Sequence, residues 1–171
     1  MSLENLLTLD ARISAQMRVA ESPGLLRSMA AFFAHSGDSW FCIAMLALVW
    51  WRGTQFWQER AKIMIIAIII TAVIVLALKF AIRRQRPEGE WGDIYRTTDP
   101  HSFPSGHATR AFLLATMALG LGPIWLGIAL AIWAPLVSIA RVAMGVHYVS
   151  DVAAGLGVGV FMGILIQLVL L

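Results

Sequence analysis

Residues 63–82 read IMIIAIIITAVIVLALKFAI, twenty positions with a single charge, Lys79, near the far end. A run of that length and apolarity matches the roughly 20 residues an α-helix needs to cross the ~30 Å hydrocarbon core of a bilayer. The stretch therefore reads as a membrane span, and the rest of the chain has the same character. Of the 171 residues, 59% are hydrophobic and seven are Trp, with a mean hydropathy of +0.76. Too few polar side chains remain to cover a soluble domain of this size.

Toward the N-terminus, 52–62 is polar and reads as a loop, preceded by an apolar run over 38–51. At about 1.5 Å per residue that run is shorter than the bilayer core, so it is expected to borrow residues from before Ser36. Ser22-Pro23 has the form of an N-cap and a first helical residue, which predicts a short helix running to about His35, with His35-Ser36-Gly37-Asp38 breaking it. Over 3–20, Leu6, Leu9, Ile13, Met17 and Ala20 recur at helical spacing, with Asp10, Arg12, Gln16 and Arg18 on other faces. That pattern predicts an amphipathic helix lying on the membrane. Glu4, Asp10 and Arg12 interrupt any signal-peptide pattern, so this segment is expected to be retained.

Toward the C-terminus, 88–103 reads as a polar loop and 106–121, 124–140 and 148–171 as three further spans. Gly122-Pro123 makes a tight turn, Pro135 a kink, and Gly155, Gly159 and Gly163 a small-residue packing stripe. The expected fold class is all-α, an integral membrane bundle of five to six helices in one domain over 1–171. Its parts are interfacial amphipathic helices over 1–35 and a helical bundle over 36–171. The lipid bilayer is the expected surrounding. Nucleic acid is not an expected partner, because the net charge is only +3 and the Lys and Arg residues sit at the ends of apolar runs. Cys42 lies in an apolar run without an intrachain partner and reads as a core residue. The oligomeric state is left open.

Three polar stretches interrupt the chain: KFAIRRQRP at 79–87, PSGH at 104–107 and RVAMGVHYVSD at 141–151. Counting crossings from the 63–82 span onward places all three on one side of the membrane. Lys79 and Arg86 are seven apart, so a continuing helix would carry both on one face, with Arg83 between them. Ser105 is placed to cap the helix that Gly106 opens, and such a terminus can receive an anion on its backbone N–H groups. His147 and Asp151 are four apart, so the carboxylate can accept from one ring nitrogen and leave the other as nucleophile or base. Snorkelling cations, a plain helix cap and a structural hydrogen bond would each explain one stretch. They do not explain why all three meet on one membrane face.

The three segments resemble the signature of the type 2 phosphatidic acid phosphatase family, which shares its site with vanadium haloperoxidases. Lys79, Arg86 and Pro87 match the first motif, Pro104 to His107 the second, and Arg141, His147 and Asp151 the third. One position departs, since Ala140 stands where the family has serine before the arginine. The resemblance implies that His147 attacks phosphorus to give a phosphohistidine, with Asp151 fixing its tautomer, and that His107 protonates the leaving oxygen and then activates water. It implies further that Lys79, Arg86, Arg141, Ser105 and the N–H of Gly106 hold the phosphoryl oxygens. Arg83 and Arg110, one turn from these residues, are candidate substrate contacts.

Three cations on one phosphoryl group can replace a metal, and Glu88, Glu90 and Asp93, the nearest approach to a carboxylate cluster, read as solvated surface, so no metal or other cofactor is expected. The activity implied is a metal-independent lipid phosphatase acting on undecaprenyl diphosphate, phosphatidylglycerol phosphate or phosphatidic acid. The implied location is a bacterial cytoplasmic membrane with the site on its outer face, where Trp91 and Tyr95 sit at the interface. A lipid phosphotransferase using the same site is the alternative, and an anion or lipid transporter a more distant one, since no repeated broken spans are evident.

Overall fold

The computed structural model describes residues 2–97 and 99–170, which form eight helices and no strand beyond one isolated bridge, Gln85 to His101. The expected all-α bundle is what the chain forms. The 63–82 run is the greater part of α4 (Gln55–Ile82), and only Gly53 and Thr54 separate it from α3 (Ser39–Arg52). The polar stretch over 52–62 is thus mostly helix, not loop. Its Gln, Glu, Arg and Lys residues are good helix formers, Gln55 donates to Glu59 one turn on (3.2 Å), and Arg60 reaches the Leu121 carbonyl.

α2 (Leu25–Ser36) and α3 are bent by 56° at Gly37-Asp38, and together they have the length and composition of one broken span. Gly24, not Ser22, is the N-cap residue of α2. α4, α7 (Ile124–Ala143) and α8 (Val149–Leu170) are each long and apolar enough to cross a membrane. Pro135 lies within α7 without ending it. α6 (Gly106–Leu121) begins and ends where the sequence pattern placed it and is the innermost helix.

α8 packs along α6 through its glycine stripe. A Cβ on Gly155 would lie 2.8 Å from the Ser105 carbonyl oxygen, one on Gly159 2.3 Å from that of Thr109, and one on Gly163 2.8 Å from Thr116 Cβ. Only glycine lets the two backbones approach this closely. The main core forms between α3, α4, α6 and α8 from Cys42, Met64, Ile68, Leu113, Met117 and Met162.

α1 (Leu3–Gln16) turns its polar side inward. Ser14 is buried, and Leu6, Leu9 and Ile13 are 45%, 46% and 41% exposed, a disposition that suits an apolar outer surface rather than water. The 88–103 segment contains a short helix, α5 (Glu90–Arg96), that composition did not reveal. It is pinned by Arg27, whose Nη2 is 2.9 Å from Glu90 Oε1 and whose guanidinium lies over Trp91.

Candidate active site

The end of α4, the start of α6, the end of α7 and the start of α8 meet at one end of the bundle, bringing the three polar stretches together. Lys79, Arg86, Ser105, Arg141, His147 and Asp151 are all buried there, Ser105, Arg141 and Asp151 completely. The route by which Arg86 arrives differs from the helical extrapolation. α4 stops at Ile82 because Arg83 adopts a left-handed conformation (φ 54°), so Lys79 and Arg86 do not share a helix face. The chain instead runs back beside 101–102, where the Ser102 N–H donates to the Arg84 carbonyl at 2.8 Å. The same turn sends Arg83 outward. It is exposed and donates to the Phe80 carbonyl, away from the other cations.

Arg86 is clamped by its surroundings. Nε donates to the Asp99 carbonyl (2.7 Å), Nη2 to Asp99 Oδ2 (2.7 Å), and Nη1 to the Val146 carbonyl (3.0 Å). Nη1 also lies 3.2 Å from His147 Nε2, so that nitrogen carries its lone pair toward the guanidinium. Lys79 pairs with the same Asp99 carboxylate. Arg141 has less company. Nη1 meets the Tyr95 hydroxyl at 3.1 Å and the guanidinium stacks 4.5 Å from the Tyr95 ring, while Nε and Nη2 have no hydrogen-bond acceptor among the described residues.

His147 Nδ1 is 3.5 Å from Asp151 Oδ2, within ion-pair range but without hydrogen-bond geometry. The hydrogen bond expected from the spacing is therefore not formed. Asp151 is occupied otherwise, by Arg84 Nη1 on Oδ1 (2.8 Å) and by the Tyr148 N–H on Oδ2 (2.9 Å). Burial, reinforced by the positive charges of Arg86, Arg141 and Lys79, holds the His147 imidazole neutral to well below the usual histidine range.

Ser105 caps α6 as expected, its hydroxyl accepting from the Ala108 N–H at 3.5 Å, and its own N–H donates to the Asp151 carbonyl at 3.0 Å. Gly106 faces α4, where an added Cβ would meet Val75 at 3.8 Å. His107 Nε2 lies 2.7 Å from Asp38 Oδ1, and Arg110 reaches the Gly37 carbonyl and the Ser39 hydroxyl. Arg110 is thereby committed to the bend between α2 and α3. Ala140, at the serine position, sits in an apolar cluster with Ala30, Ala34 and Ala143, and makes no polar demand there.

Four residues that the sequence reading did not assign to the site take part in it: Arg84, Asp99, Asp38 and Asp10. Asp10 on α1 accepts from Arg84 Nη2 (2.7 Å) and from the Ser150 N–H (3.0 Å), and Ser14 accepts from the Val149 N–H (2.9 Å). Together these contacts cap the start of α8. Among the described residues no group of three or more His, Cys, Asp or Glu side chains could hold a metal ion.

Buried cations gathered around a histidine and a carboxylate, at one end of a membrane bundle, define an integral membrane protein built to handle phosphoryl groups. The chain belongs to the PAP2 superfamily, whose model matches residues 60–170, and it is a phosphatase. It is 32% identical over 164 residues to a decaprenylphosphoryl-5-phosphoribose phosphatase of Mycobacterium tuberculosis, covering 91% of this chain and 86% of that one. In structure it resembles the PAP2-type phosphatidylglycerolphosphate phosphatase of Bacillus subtilis (TM-score 0.74, 25% identity, 95% of this chain and 85% of the other). It also resembles Aquifex aeolicus LpxE (TM-score 0.71, 26% identity, 90% and 93%).

Proposed function

We propose that the protein hydrolyses the terminal phosphate or diphosphate of a membrane lipid through a phosphohistidine. The observation that carries this reading is Arg141, a fully buried guanidinium with two N–H-bearing nitrogens that lack acceptors among the described residues, placed among the charges that act on His147. A desolvated cation in that condition calls for an anion. His147 Nε2 attacks phosphorus as the bond to the leaving oxygen breaks, and His107 gives that oxygen a proton. Neutral His107 then takes a proton from water as the water oxygen attacks phosphorus and the P–N bond breaks, releasing phosphate and restoring both histidines. Arg141, Arg86 and Lys79, with Ser105 and the Gly106 N–H, stabilise the charge on the equatorial oxygens, and no metal is required.

A lipid substrate is favoured by the groove of about 240 Å³ that leads from the site between α4 and α6. Lys79, Asp99 and His101 line its polar end, and Ile68, Val75, Leu76 and Leu113 its apolar length. A phosphate would sit at the first and an acyl or prenyl chain along the second. Undecaprenyl diphosphate, phosphatidylglycerol phosphate, phosphatidic acid and polyprenyl-phosphoryl sugar phosphates all fit that description. The test is phosphate release from this panel with EDTA present, comparing the wild type with His147→Ala. Undiminished release by the variant would remove His147 as nucleophile, and activity lost to EDTA and restored by a divalent ion would overturn the metal-free mechanism. The site is proposed to face the outer side of a bacterial cytoplasmic membrane. Glu88→Cys, at an exposed position beside the site, should react with an impermeant thiol reagent on intact cells, since the native Cys42 is buried. Labelling only after permeabilisation would reverse the orientation.

A further inference from the structure

Asp38 is the N-cap residue of α3, yet its carboxylate makes no capping hydrogen bond. An N-cap aspartate ordinarily accepts from its own helix, and giving up that interaction forgoes a stabilising contact. The carboxylate is instead turned across the bundle. Oδ1 lies 2.7 Å from His107 Nε2, and Oδ2 lies 3.1 Å from His35 Nδ1. Both partners of the first contact are largely shielded, with side chains 16% and 17% exposed, whereas His35 is half exposed.

The bend that presents Asp38 is held from two other helices. Arg110 of α6 binds the Gly37 carbonyl and the Ser39 hydroxyl, and Trp133 of α7 donates to the Ser36 hydroxyl at 2.9 Å. Gly37 itself approaches so closely that an added Cβ would lie 2.8 Å from Val137 and 3.5 Å from His107 Cδ2. The carboxylate is thus fixed relative to the first turn of α6.

We propose that Asp38 is the positioning carboxylate of His107: by accepting from Nε2–H it fixes the imidazole in one tautomer and makes Nδ1 the atom that gives and takes the catalytic proton. The inference rests on the reading of His107 as acid and base. Each histidine of the reaction then has its own carboxylate, Asp151 for His147 and Asp38 for His107. In the first step Nδ1–H passes its proton to the leaving oxygen, and the Nε2–H···Asp38 bond persists throughout. The carboxylate also supplies a negative charge set against the cations facing His107, Arg141 from α7 and Arg110 from its own helix, and so serves as counter-charge to an imidazolium formed there. His35 holds the second carboxylate oxygen from the solvent side and limits its rotation.

The test compares Asp38→Asn with the wild type in detergent on two phosphate esters of different leaving group, dodecyl phosphate and p-nitrophenyl phosphate. The readout is kcat/KM, which covers only the steps through phosphoryl transfer to the enzyme. General acid help matters for the alkoxide and hardly for the nitrophenolate. Asp38→Asn should lose on the order of 100-fold on the first and less than about fivefold on the second. The basic limb of the pH profile should move to lower pH by about one unit, because the cationic imidazole loses its counter-charge. Equal losses on both esters, or none, while His107→Ala shows the leaving-group-dependent loss, would overturn the role of Asp38 and leave the site reading intact. If His107→Ala shows no such dependence, the acid-base reading of His107 fails and the role of Asp38 with it. Independently of any variant's folding, 15N shifts of the wild-type protein labelled at histidine should give the Nε2–H tautomer for His107. The Nδ1–H tautomer would overturn the proposal.

Discussion

Replacing Arg141 by methionine should stabilise the phosphate-free protein while abolishing its activity. The guanidinium is 0% exposed, and its Nε and Nη2 have no acceptor among the described residues. Exchanging a buried charge for an apolar chain of similar length is typically worth ~1–4 kcal/mol in favour of the apolar residue. Loss of the Tyr95 hydrogen bond and of the stacking on its ring returns about 1–2 kcal/mol of that, leaving a small net gain. With substrate the sign reverses. Two nitrogens donating to charged phosphoryl oxygens contribute roughly 1.5–3 kcal/mol each, so kcat/KM should fall by about 10²- to 10⁴-fold. Thermal unfolding in detergent, with and without inorganic phosphate, separates the two effects. At a hundredfold excess over Kd, phosphate should stabilise the wild type by about 2.7 kcal/mol and leave the variant nearly unmoved. A variant that melts below the wild type without phosphate and keeps more than about a tenth of its kcat/KM would refute the assignment of those donors to the anion.

Asp99→Asn should tighten phosphate, because the carboxylate that now pairs with Lys79 and Arg86 competes for the same cations. Since the Asp99 side chain is 41% exposed, the gain is expected to be only about three- to tenfold in the inhibition constant of inorganic phosphate, and weaker inhibition would contradict it. Gly159→Ala should cost at least ~2 kcal/mol by forcing a Cβ to within 2.3 Å of the Thr109 carbonyl oxygen. Gly157→Ala, with nothing within 4 Å, should gain up to about 1 kcal/mol from helix propensity, so similar melting shifts for the two would deny the close approach of α6 and α8. His147 titrates well below its ordinary 6.5, so unfolded chains bind a proton that the folded chain refuses. The stability it confers is complete above that ordinary value and is lost as pH falls toward the folded value. His147→Gln should therefore flatten the acid-side decline of the melting temperature, and an unchanged slope would show that His147 is not held neutral.

What could be read from the chain is what is encoded locally. The 63–82 run, the cap and first turn at 105–107, and the glycine stripe each carry a length or a period, and each is where the sequence placed it. Polar character misled where it was taken to mean loop, since the first two turns of α4 and all of α5 are helical. The site was legible as far as motif residues reach. Arg83 and Arg84 look alike in RRQR, and only the left-handed turn at Arg83 decides that Arg84 points inward. Asp10, Asp38 and Asp99 are single carboxylates in polar contexts. No local pattern marks them, because their partners lie 74, 69 and 20 residues away.

These carboxylates also explain why a 3.5 Å separation between His147 and Asp151 suits the proposed chemistry better than a tight hydrogen bond would. Asp151 is fully buried, and Arg84 and the Tyr148 N–H hold its carboxylate fixed in the resting protein. Arg84 in turn is balanced by Asp10. A neutral imidazole gains little from the carboxylate at that distance. In the proposed reaction the ring becomes cationic once Nε2 bonds to phosphorus, and the same carboxylate would then attract a full charge in a site shielded from water. An interaction weak in the ground state and strong as the P–N bond forms lowers the barrier instead of merely tightening binding. Arg86 acts in the same direction, since its Nη1 beside Nε2 opposes protonation of the resting histidine and can turn to an oxygen of the arriving phosphoryl group. On this proposal His147, the nucleophile, is kept neutral by burial and by cations that the substrate itself would neutralise.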